Sequence, residues 1–307
     1  PTPSFDEFFE HVASGRLAGL EALDDRRRIP YETSRGCWWG EASHCTFCGL
    51  NGLGMAYRKK SEARILDEVG RLVERYRPSK VCCVDNILHP GFFTSLFPLM
   101  ESRGLGVELS FEVKSNLKRR QVDAMRRAGM TEIQPGIESL STRILGLMKK
   151  GATRLDNVRM LRLAQEHGMF TIWLHLYGFP GETLADYEDV VRLAPRLFHL
   201  QPPVDYDTRM TIRRFSPYFD RPAEFGVGNL RPAGALPDLY ALPAGDVHDL
   251  AYRFDADYAD GTGPESWGAI GGLLGRMRGR WRARYEDGAV LSAFAGPTTA
   301  LVLDLRE

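Results

Sequence analysis

Beyond its N-terminal segment, the chain alternates between short apolar runs and longer runs with helical spacing. The segment 61–76 places Ile65, Val69 and Leu72 three or four residues apart, which predicts an amphipathic helix. The run 80–84 is apolar after its first residue, as expected for a strand that is covered on both faces. Short strands that alternate with helices in this way are typical of a parallel sheet with crossover helices.

Six strand–helix units are predicted from this alternation. The strands are expected at 30–35, 80–84, 107–113, 131–135, 169–176 and 208–215. Gly129 fits the left-handed residue that ends a helix over 117–128, and Thr183 fits the N-cap of a helix that runs to about residue 198. The fold class is therefore α/β, and the functional side chains are expected at the C-terminal ends of the strands.

The two ends of the chain depart from the alternation. The first segment predicts a short amphipathic helix around Phe5, Phe8 and Phe9, followed by a solvated charged connector at 24–28. After about residue 216 the sequence becomes rich in Pro, Gly and aromatic residues, which predicts a small α+β extension that covers the mouth of the sheet or packs beside it. The expected domains are 1–29, 30–219 and 220–307.

Composition narrows the classes of function. Forty Lys and Arg balance forty Asp and Glu, whereas a general nucleic-acid or membrane-surface binder would carry a basic excess. The absence of an apolar run of spanning length predicts a soluble, cytoplasmic protein. Five cysteines fit a reducing compartment, and Cys82 and Cys83 are expected to be packing residues of a strand. The start at Pro1 and the end after a strand-like run indicate a fragment of a longer protein.

Three of the cysteines, Cys37, Cys45 and Cys48, fall within twelve residues. Thiolates bind soft and borderline metals, and this spacing lets all three reach one centre. A structural zinc site usually has four ligands, whereas a four-iron, four-sulfur cluster on three cysteines leaves one iron open to another molecule. The motif therefore favours an iron–sulfur cluster, with structural zinc as the alternative. His44 would have to reach past Cys45 to serve as a fourth ligand.

The run 32–51, which contains these cysteines, resembles the cluster segment of radical S-adenosylmethionine (SAM) enzymes that mature ribosomally made peptides. It is most similar to the bacteriocin-maturation subgroup associated with cobalamin-dependent C-methylation. That subgroup shares the seven residues between Cys37 and Cys45, where common radical SAM enzymes have three. The resemblance implies a partial (β/α)6 TIM-like barrel, with a cobalamin-binding domain upstream of the sequence given.

The same resemblance implies the cofactors and partners. The cofactors would be a [4Fe-4S] cluster on the three cysteines, SAM chelated to the open iron, and cobalamin. SAM cleavage would yield a 5′-deoxyadenosyl radical, and methylcobalamin would supply the methyl group. The partners would be a precursor peptide and a flavodoxin- or ferredoxin-like reductant, with no nucleic acid and no membrane. Trp38 and Trp39 suit an apolar face for cobalamin or peptide, although two aromatic residues are as often plain packing.

Polar residues at the ends of the second and third strands are candidate SAM ligands. The resemblance places Asp85 and Asn86 at the SAM amino group, although such residues are also common in strand-end turns. Glu112 and Lys114 share one face of the third strand because side chains alternate along a strand. The resemblance gives Glu112 the polar groups of SAM and Lys114 its carboxylate, and a mutual salt bridge would also explain the pair.

Later turns complete the expected SAM site. By resemblance, Glu138 and Ser139 would contact SAM, with the ribose as a plausible partner. The glycines of the turn 177–183 would let the main chain approach adenine. The cofactor-contacting residues expected there and in the cysteine motif are Phe47, Tyr177, Gly178 and Phe179. A lone His175 is more often a core residue than a catalyst.

Two other functions remain open from the sequence. The first is a cobalamin-independent radical SAM maturase that forms thioethers or epimerises residues. The second is a zinc-stabilised barrel that only binds peptide. Iron content separates the zinc protein from both enzymes, and cobalamin binding separates the two enzymes.

Overall fold

The expected parallel sheet lies at the centre of the structure, a computed structural model that describes residues 2–16, 27–52 and 54–306. The strands, in chain order, are β1 (Arg28–Tyr31), β2 (Ser34–Arg35), β3 (Arg58–Lys59), β4 (Lys80–Cys83), β5 (Glu108–Val113), β6 (Glu132–Pro135), β7 (Phe170–Thr171), β8 (Ile212–Arg213), β9 (Val227–Pro232), β10 (Arg253–Tyr258), β11 (Leu291–Ala295) and β12 (Ala300–Asp304).

Helices connect these strands. They are α1 (Asp6–Ala13), α2 (Trp38–Ala42), α3 (Glu62–Tyr76), α4 (Leu96–Arg103), α5 (Arg119–Arg127), α6 (Thr142–Leu147), α7 (Arg154–Glu166), α8 (Leu184–Leu193), α9 (Pro217–Asp220), α10 (Leu236–Leu239), α11 (Ala244–Leu250) and α12 (Pro264–Glu286). Thr183 is the N-cap of α8 and Gly129 follows α5 with a φ of 91°, as the sequence predicts. Of the expected charged connector, 24–28, the first three residues lie outside the described ranges.

The sheet has the spatial order β1-β4-β5-β6-β7, and every neighbouring pair is parallel. Each strand is followed by at least one helix before the next strand of the sheet, which confirms the α/β class. The C-terminal ends of all five strands of this sheet therefore lie along one edge.

The edge strand β1 contains a proline. The Tyr31 carbonyl accepts a hydrogen bond from the Val84 N–H (2.9 Å), so the backbone of Tyr31 faces β4. Successive residues of a strand direct their backbone groups to opposite sides, and the nitrogen of Pro30 therefore faces the open edge. Among the described residues, no strand pairs with that edge. Proline is tolerated there because the edge needs no donor.

The sixth unit differs from the prediction. The segment 208–215 was expected to extend the parallel sheet, but only a single parallel bridge joins Arg209 to Tyr177. β8 pairs instead with β10 in an antiparallel sheet of order β8-β10-β9. The segment therefore joins the continuation of the fifth strand through one parallel bridge only, and its pairing with β10 was not expected, because pattern alone does not reveal a partner strand that lies forty residues later.

Two apolar cores hold the described chain together. The first lies between the sheet and the helices α3, α4 and α5, and its fully buried members include Val69, Val81 and Leu109. Tyr76 of this core also packs against the rings of Phe5 and Phe9 beside α1. The second core joins the end of the sheet to the C-terminal extension. Its centre is formed by the fully buried Trp173, Tyr187, Phe254 and Trp281.

The extension contains both helices and strands, as expected, and it reaches the cysteine segment. A Cβ on Gly49 would collide with the Arg214 carbonyl, and one on Gly52 would collide with the Phe215 ring. Helix α12 packs against α8, and the Trp281 indole donates to the Leu200 carbonyl (2.9 Å). No helix within the described ranges is both long enough and apolar enough to cross a membrane.

Candidate active site at the cysteine loop

We call residues 37–48 the cysteine loop, and most of the spacer between Cys37 and Cys45 folds as helix α2. Cys37 is the N-cap of this helix, and its Sγ accepts a hydrogen bond from the Gly40 N–H (3.3 Å). The preceding Gly36 has a φ of 86°, and a Cβ at this position would collide with the Ala56 carbonyl. Because only glycine combines this conformation with so close an approach, the backbone that leads into Cys37 is fixed.

Cys45 and Cys48 are held against the end of α6. Between them, Thr46 donates from its N–H to the Met148 carbonyl (3.1 Å) and from its hydroxyl to the Leu147 carbonyl (2.9 Å). The Cys48 N–H donates to the Cys45 carbonyl (3.1 Å). All three cysteines of the loop are free and partly buried, so their thiols are available as ligands.

The three thiols lie close enough to affect one another's ionisation. Burial raises the pKa of Cys45 and of Cys48, and negative charge on Cys37 raises both further. The Lys150 ammonium opposes these effects at both thiols, and the Lys114 ammonium does so at Cys45. Metal ligation requires thiolates, which nearby cations favour.

This donor set fits an iron–sulfur cluster. Within the described ranges, no group of three or more His, Cys, Asp or Glu side chains is placed to hold a single metal ion. A cuboidal cluster takes its thiolates on separate irons, so its ligands lie farther apart than those of one ion. The three free, partly buried thiols can serve as ligands of such a cluster, and the two neighbouring lysines favour their thiolate form.

The two lysines lie beside the cysteine loop. The Lys114 Nζ lies 3.6 Å from the centroid of the Trp39 ring and donates to the Lys150 carbonyl (2.6 Å). Burial, together with the Lys150 charge, lowers the pKa of Lys114 to about 8. Lys150 forms an ion pair with Glu138 (3.0 Å). Glu138 has a φ of 56°, so this pair fixes a strained turn next to the cysteines.

Glu112 lies in β5 and has no such partner. Among the described residues, none forms a hydrogen bond or an ion pair with its carboxylate, and the salt bridge with Lys114 that the sequence left open does not form. Burial, reinforced by the charge of Glu138, raises the pKa of Glu112 to about 7. A half-buried carboxylate without partners is a natural acceptor for a ligand's amine.

The carboxylate of Asp85, two residues beyond β4, already accepts hydrogen bonds from other residues of the protein. Its carboxylate accepts the backbone N–H groups of Thr33 (2.7 Å) and Ser34 (3.1 Å) and both of their hydroxyls. Burial raises the pKa of Asp85, and the four donors act in the opposite direction. Its neighbour Asn86 donates to the Asn51 side chain (2.8 Å). The predicted contact of Asp85 with SAM stays a prediction, and this geometry favours a structural role.

The turn 177–183 is organised by a carboxylate. Glu182 accepts the N–H groups of Gly178 (2.7 Å) and Phe179 (2.8 Å) and the Tyr187 hydroxyl (2.6 Å). Gly178 has a φ of 96°, and the Tyr177 hydroxyl is bonded to Asp207 (2.6 Å). The main-chain donors that were expected near adenine are thus already paired within the turn.

An aromatic contact links this turn to the cysteine loop. The rings of Phe47 and Phe179 meet edge to face, with centroids 5.9 Å apart, and the Lys150 ammonium lies 5.7 Å from the Phe47 centroid. Ser139 is fully buried, and its hydroxyl accepts the Ser141 N–H (3.0 Å). The structure therefore brings Phe47 and Phe179 together, whereas the Ser139 hydroxyl makes a local hydrogen bond within its own turn.

Sequence reasoning did not identify Lys150 and Glu182 as site residues. Lys150 follows α6 directly before Gly151, whose φ of 64° and close approach to Trp39 mark a constrained turn. A lysine before a glycine at a helix end was the available signal. His175 is fully buried and burial lowers its pKa to about 3, as expected for a neutral core histidine.

Taken together, the fold and the site define a class of protein that binds an iron–sulfur cluster at the C-terminal ends of a parallel sheet. More narrowly, the chain belongs to the radical SAM superfamily, whose profile matches residues 31–194, slightly more than half of the chain. The cofactors of this superfamily are a [4Fe-4S] cluster, as the cysteine motif predicts, and SAM, as the family resemblance implies. The individual ligand assignments, Cys37, Cys45 and Cys48 included, stay predictions.

Individual relatives are more distant. An uncharacterised methyltransferase of Pyrococcus horikoshii is 25% identical over 169 residues, which cover 54% of this chain and 36% of the relative. An anaerobic magnesium-protoporphyrin IX monomethyl ester cyclase of Cereibacter sphaeroides is 25% identical over 206 residues, which cover 65% of this chain and 32% of the relative. The chain thus spans about a third of the length of these curated relatives.

Solved structures share the fold. The radical SAM methyltransferase TsrM from Kitasatospora setae superposes with a TM-score of 0.60 at 19% identity, covering 84% of this chain and 53% of that one. The cobalamin-dependent radical SAM enzyme OxsB, with aqua-cobalamin bound, also superposes with a TM-score of 0.60 at 17% identity, covering 92% of this chain and 44% of that one. At these identities the similarity shows that the chain has the radical SAM fold, in agreement with the TIM-like partial barrel expected from the sequence.

Proposed function

We propose that this chain is the radical SAM part of a cytoplasmic enzyme that methylates an unactivated carbon of a ribosomally synthesised precursor peptide, with cobalamin as methyl carrier. The observation that carries the radical chemistry is the set of three free cysteines beside the buried Lys114 and the half-buried Lys150 at the carboxyl end of a parallel sheet. Methyl transfer is supported by the relatives, which include methyltransferases, and by the cobalamin-bound structures that share the fold.

Particular residues would hold the cofactors. Cys37, Cys45 and Cys48 would ligate the cluster, which when bound and reduced supplies the electron that cleaves SAM to methionine and a 5′-deoxyadenosyl radical. Glu112 would accept the amine of SAM because its carboxylate has no partner among the described residues. Lys114 would face the SAM carboxylate, and it could exchange the Lys150 carbonyl for that ligand without losing a hydrogen bond.

The remaining contacts orient and cover the cofactor. The edge-to-face pair of Phe47 and Phe179 offers an apolar surface for adenine. The Glu138–Lys150 pair places one negative and one positive charge beside the cysteines, so the pair itself adds no net charge there. The reductant would be a flavodoxin- or ferredoxin-like protein, since such a cluster receives one electron per turnover.

The experiment is an anaerobic incubation of reconstituted protein with SAM and dithionite, assayed for 5′-deoxyadenosine. We expect deoxyadenosine from this chain, and also S-adenosylhomocysteine when full-length protein is supplied with cobalamin and its peptide. Deoxyadenosine without S-adenosylhomocysteine in the full-length protein would exclude methylation and leave another radical maturase. Bound zinc, with neither product, would exclude the enzyme altogether.

A matched pair of variants tests the ligand assignment. Cys45→Ala should abolish the cluster absorbance and all SAM cleavage, because two thiolates do not hold the cluster. Cys82→Ala removes a thiol that belongs to β4 and not to the cysteine loop, and this variant should keep both the cluster and SAM cleavage. A cluster that survives Cys45→Ala, measured by iron content and absorbance, would contradict the assignment.

A further inference from the structure

A small apolar cavity lies beside the cysteine loop and is not used by the contacts described so far. Its volume is about 210 Å³. Most of its wall is apolar and is formed by Trp38, Leu88, Pro90, Phe93, Val113 and Leu117. An apolar cavity of roughly 150 Å³ is enough to bind benzene, so this cavity has room for a branched aliphatic or an aromatic side chain.

The segment between Cys37 and Cys45 contributes Trp38 to the wall of the cavity. Trp38, next to Cys37, is held in place because its indole N–H donates to the Leu88 carbonyl (3.0 Å). Trp39 turns the other way and lies against Lys114, with the two indole rings at 87° to each other. Helix α2 therefore gives its two tryptophans different surroundings, and only Trp38 faces the cavity.

Three polar residues complete the lining of the cavity. They are Lys114, Asn116 and Gln121. The side-chain carbonyl of Gln121 accepts a hydrogen bond from the Lys118 backbone N–H (2.8 Å). The side-chain amide of Asn116 has no hydrogen-bond partner among the described residues. A free amide offers one acceptor and two donors, which is the complement of a peptide group.

We propose that this cavity is the subsite that receives an apolar side chain of the peptide substrate, with Asn116 bonded to the adjoining peptide group. The inference rests on the proposed function and deepens it by naming the substrate residue as apolar. Lys114 connects the cavity to the cluster site, because it lines the cavity and its positive charge acts on Cys45. SAM is too polar for this lining, and cobalamin is far too large for its volume.

Binding of small probes tests the cavity without turnover. Reconstituted protein with SAM is titrated with N-acetyl-L-leucinamide and N-acetyl-L-alaninamide, and the dissociation constants are measured by ligand-observed NMR. We expect leucinamide to bind at least about 10-fold more tightly, since each methylene in an apolar pocket contributes about 10-fold or more. Equal affinities for the two probes would overturn the proposal.

Two variants locate the binding. Phe93→Ala enlarges the cavity while Phe97, 5.5 Å away ring to ring, remains behind it. This variant should shift preference toward N-acetyl-L-tryptophanamide by about 10-fold relative to leucinamide. Asn116→Ala should weaken both original probes equally, by about 3- to 10-fold, because the peptide group is common to them. Unchanged preference in Phe93→Ala, with native circular dichroism, would contradict the location.

The control is Leu155→Ala, which removes an equally apolar side chain from the exposed face of α7, where Leu155 is 77% exposed. It should leave all probe affinities unchanged. Deoxyadenosine formation by the wild-type chain is measured in parallel. If deoxyadenosine forms but the probes show no preference, the cavity assignment fails and the proposed function stands. If none forms, the proposed function fails, and the probes still decide whether the cavity binds apolar side chains.

Discussion

Asp85 and Glu112 are carboxylates near the ends of neighbouring strands, but they differ in their hydrogen bonding. Asp85 follows β4 and accepts four donors from Thr33 and Ser34. Glu112 lies in the adjoining strand β5 and has no partner among the described residues. Burial raises the pKa of both carboxyls, but only at Asp85 do hydrogen bonds oppose it.

The difference separates structure from function within one site. A satisfied carboxylate ties the segment before the cysteine loop to the sheet, and its removal leaves buried donors without acceptors. An unsatisfied carboxylate costs stability in the empty protein and gains its partners only from a ligand. Position at a strand end identifies both residues as candidates, while hydrogen bonding decides between them.

The largest effect is expected from Asp85→Asn. The amide turns a donor toward the Thr33 and Ser34 donors, so the free energy of unfolding should fall by about 3 kcal/mol. Urea unfolding measures it, with Glu112→Gln at pH 7 as the matched control, which should not destabilise. If Asp85→Asn kept full stability and only weakened SAM binding, the two carboxylates would not differ as described.

The pH dependence of stability sharpens the contrast at Glu112. Its pKa rises from an ordinary value of 4.5 to about 7 in the folded chain, so the native state binds the proton more tightly than the unfolded state. The free energy of unfolding should therefore fall as pH rises from 4.5 to 7, by about 2 kcal/mol from this group. Glu112→Gln should remove this part of the slope in urea titrations at several pH values. Identical slopes in the two proteins would contradict the pKa.

The smallest effect is expected from Thr33→Val. This change keeps the shape of the side chain and removes one of the four donors to Asp85, so it should cost about 1 kcal/mol of unfolding free energy. Thr171→Val serves as a control, because the buried Thr171 hydroxyl has no hydrogen-bond partner in the described chain. A loss at Thr33 no larger than that at Thr171 would show that the donors to Asp85 are not individually important.

Sequence patterns were enough to locate both carboxylates but not to tell them apart. Strand periodicity placed Asp85 and Glu112 at the functional edge, and the α/β class followed from the same alternation. The donors to Asp85 lie about fifty residues earlier in the chain, and no local pattern reports such a contact. Lys150 was missed for the same reason, since its relation to Cys45 depends on how α6 packs against the cysteine loop.

The proline in the edge strand has a consequence for association between molecules. A sheet that ends without closing offers its last strand as a template on which another chain can add strands, which is a common route to aggregation. Pro30 directs its nitrogen to that side and presents no N–H there. The β1 edge therefore lacks one of the donors that an added strand would need, so it is a poorer template for growth than an edge that presents every N–H.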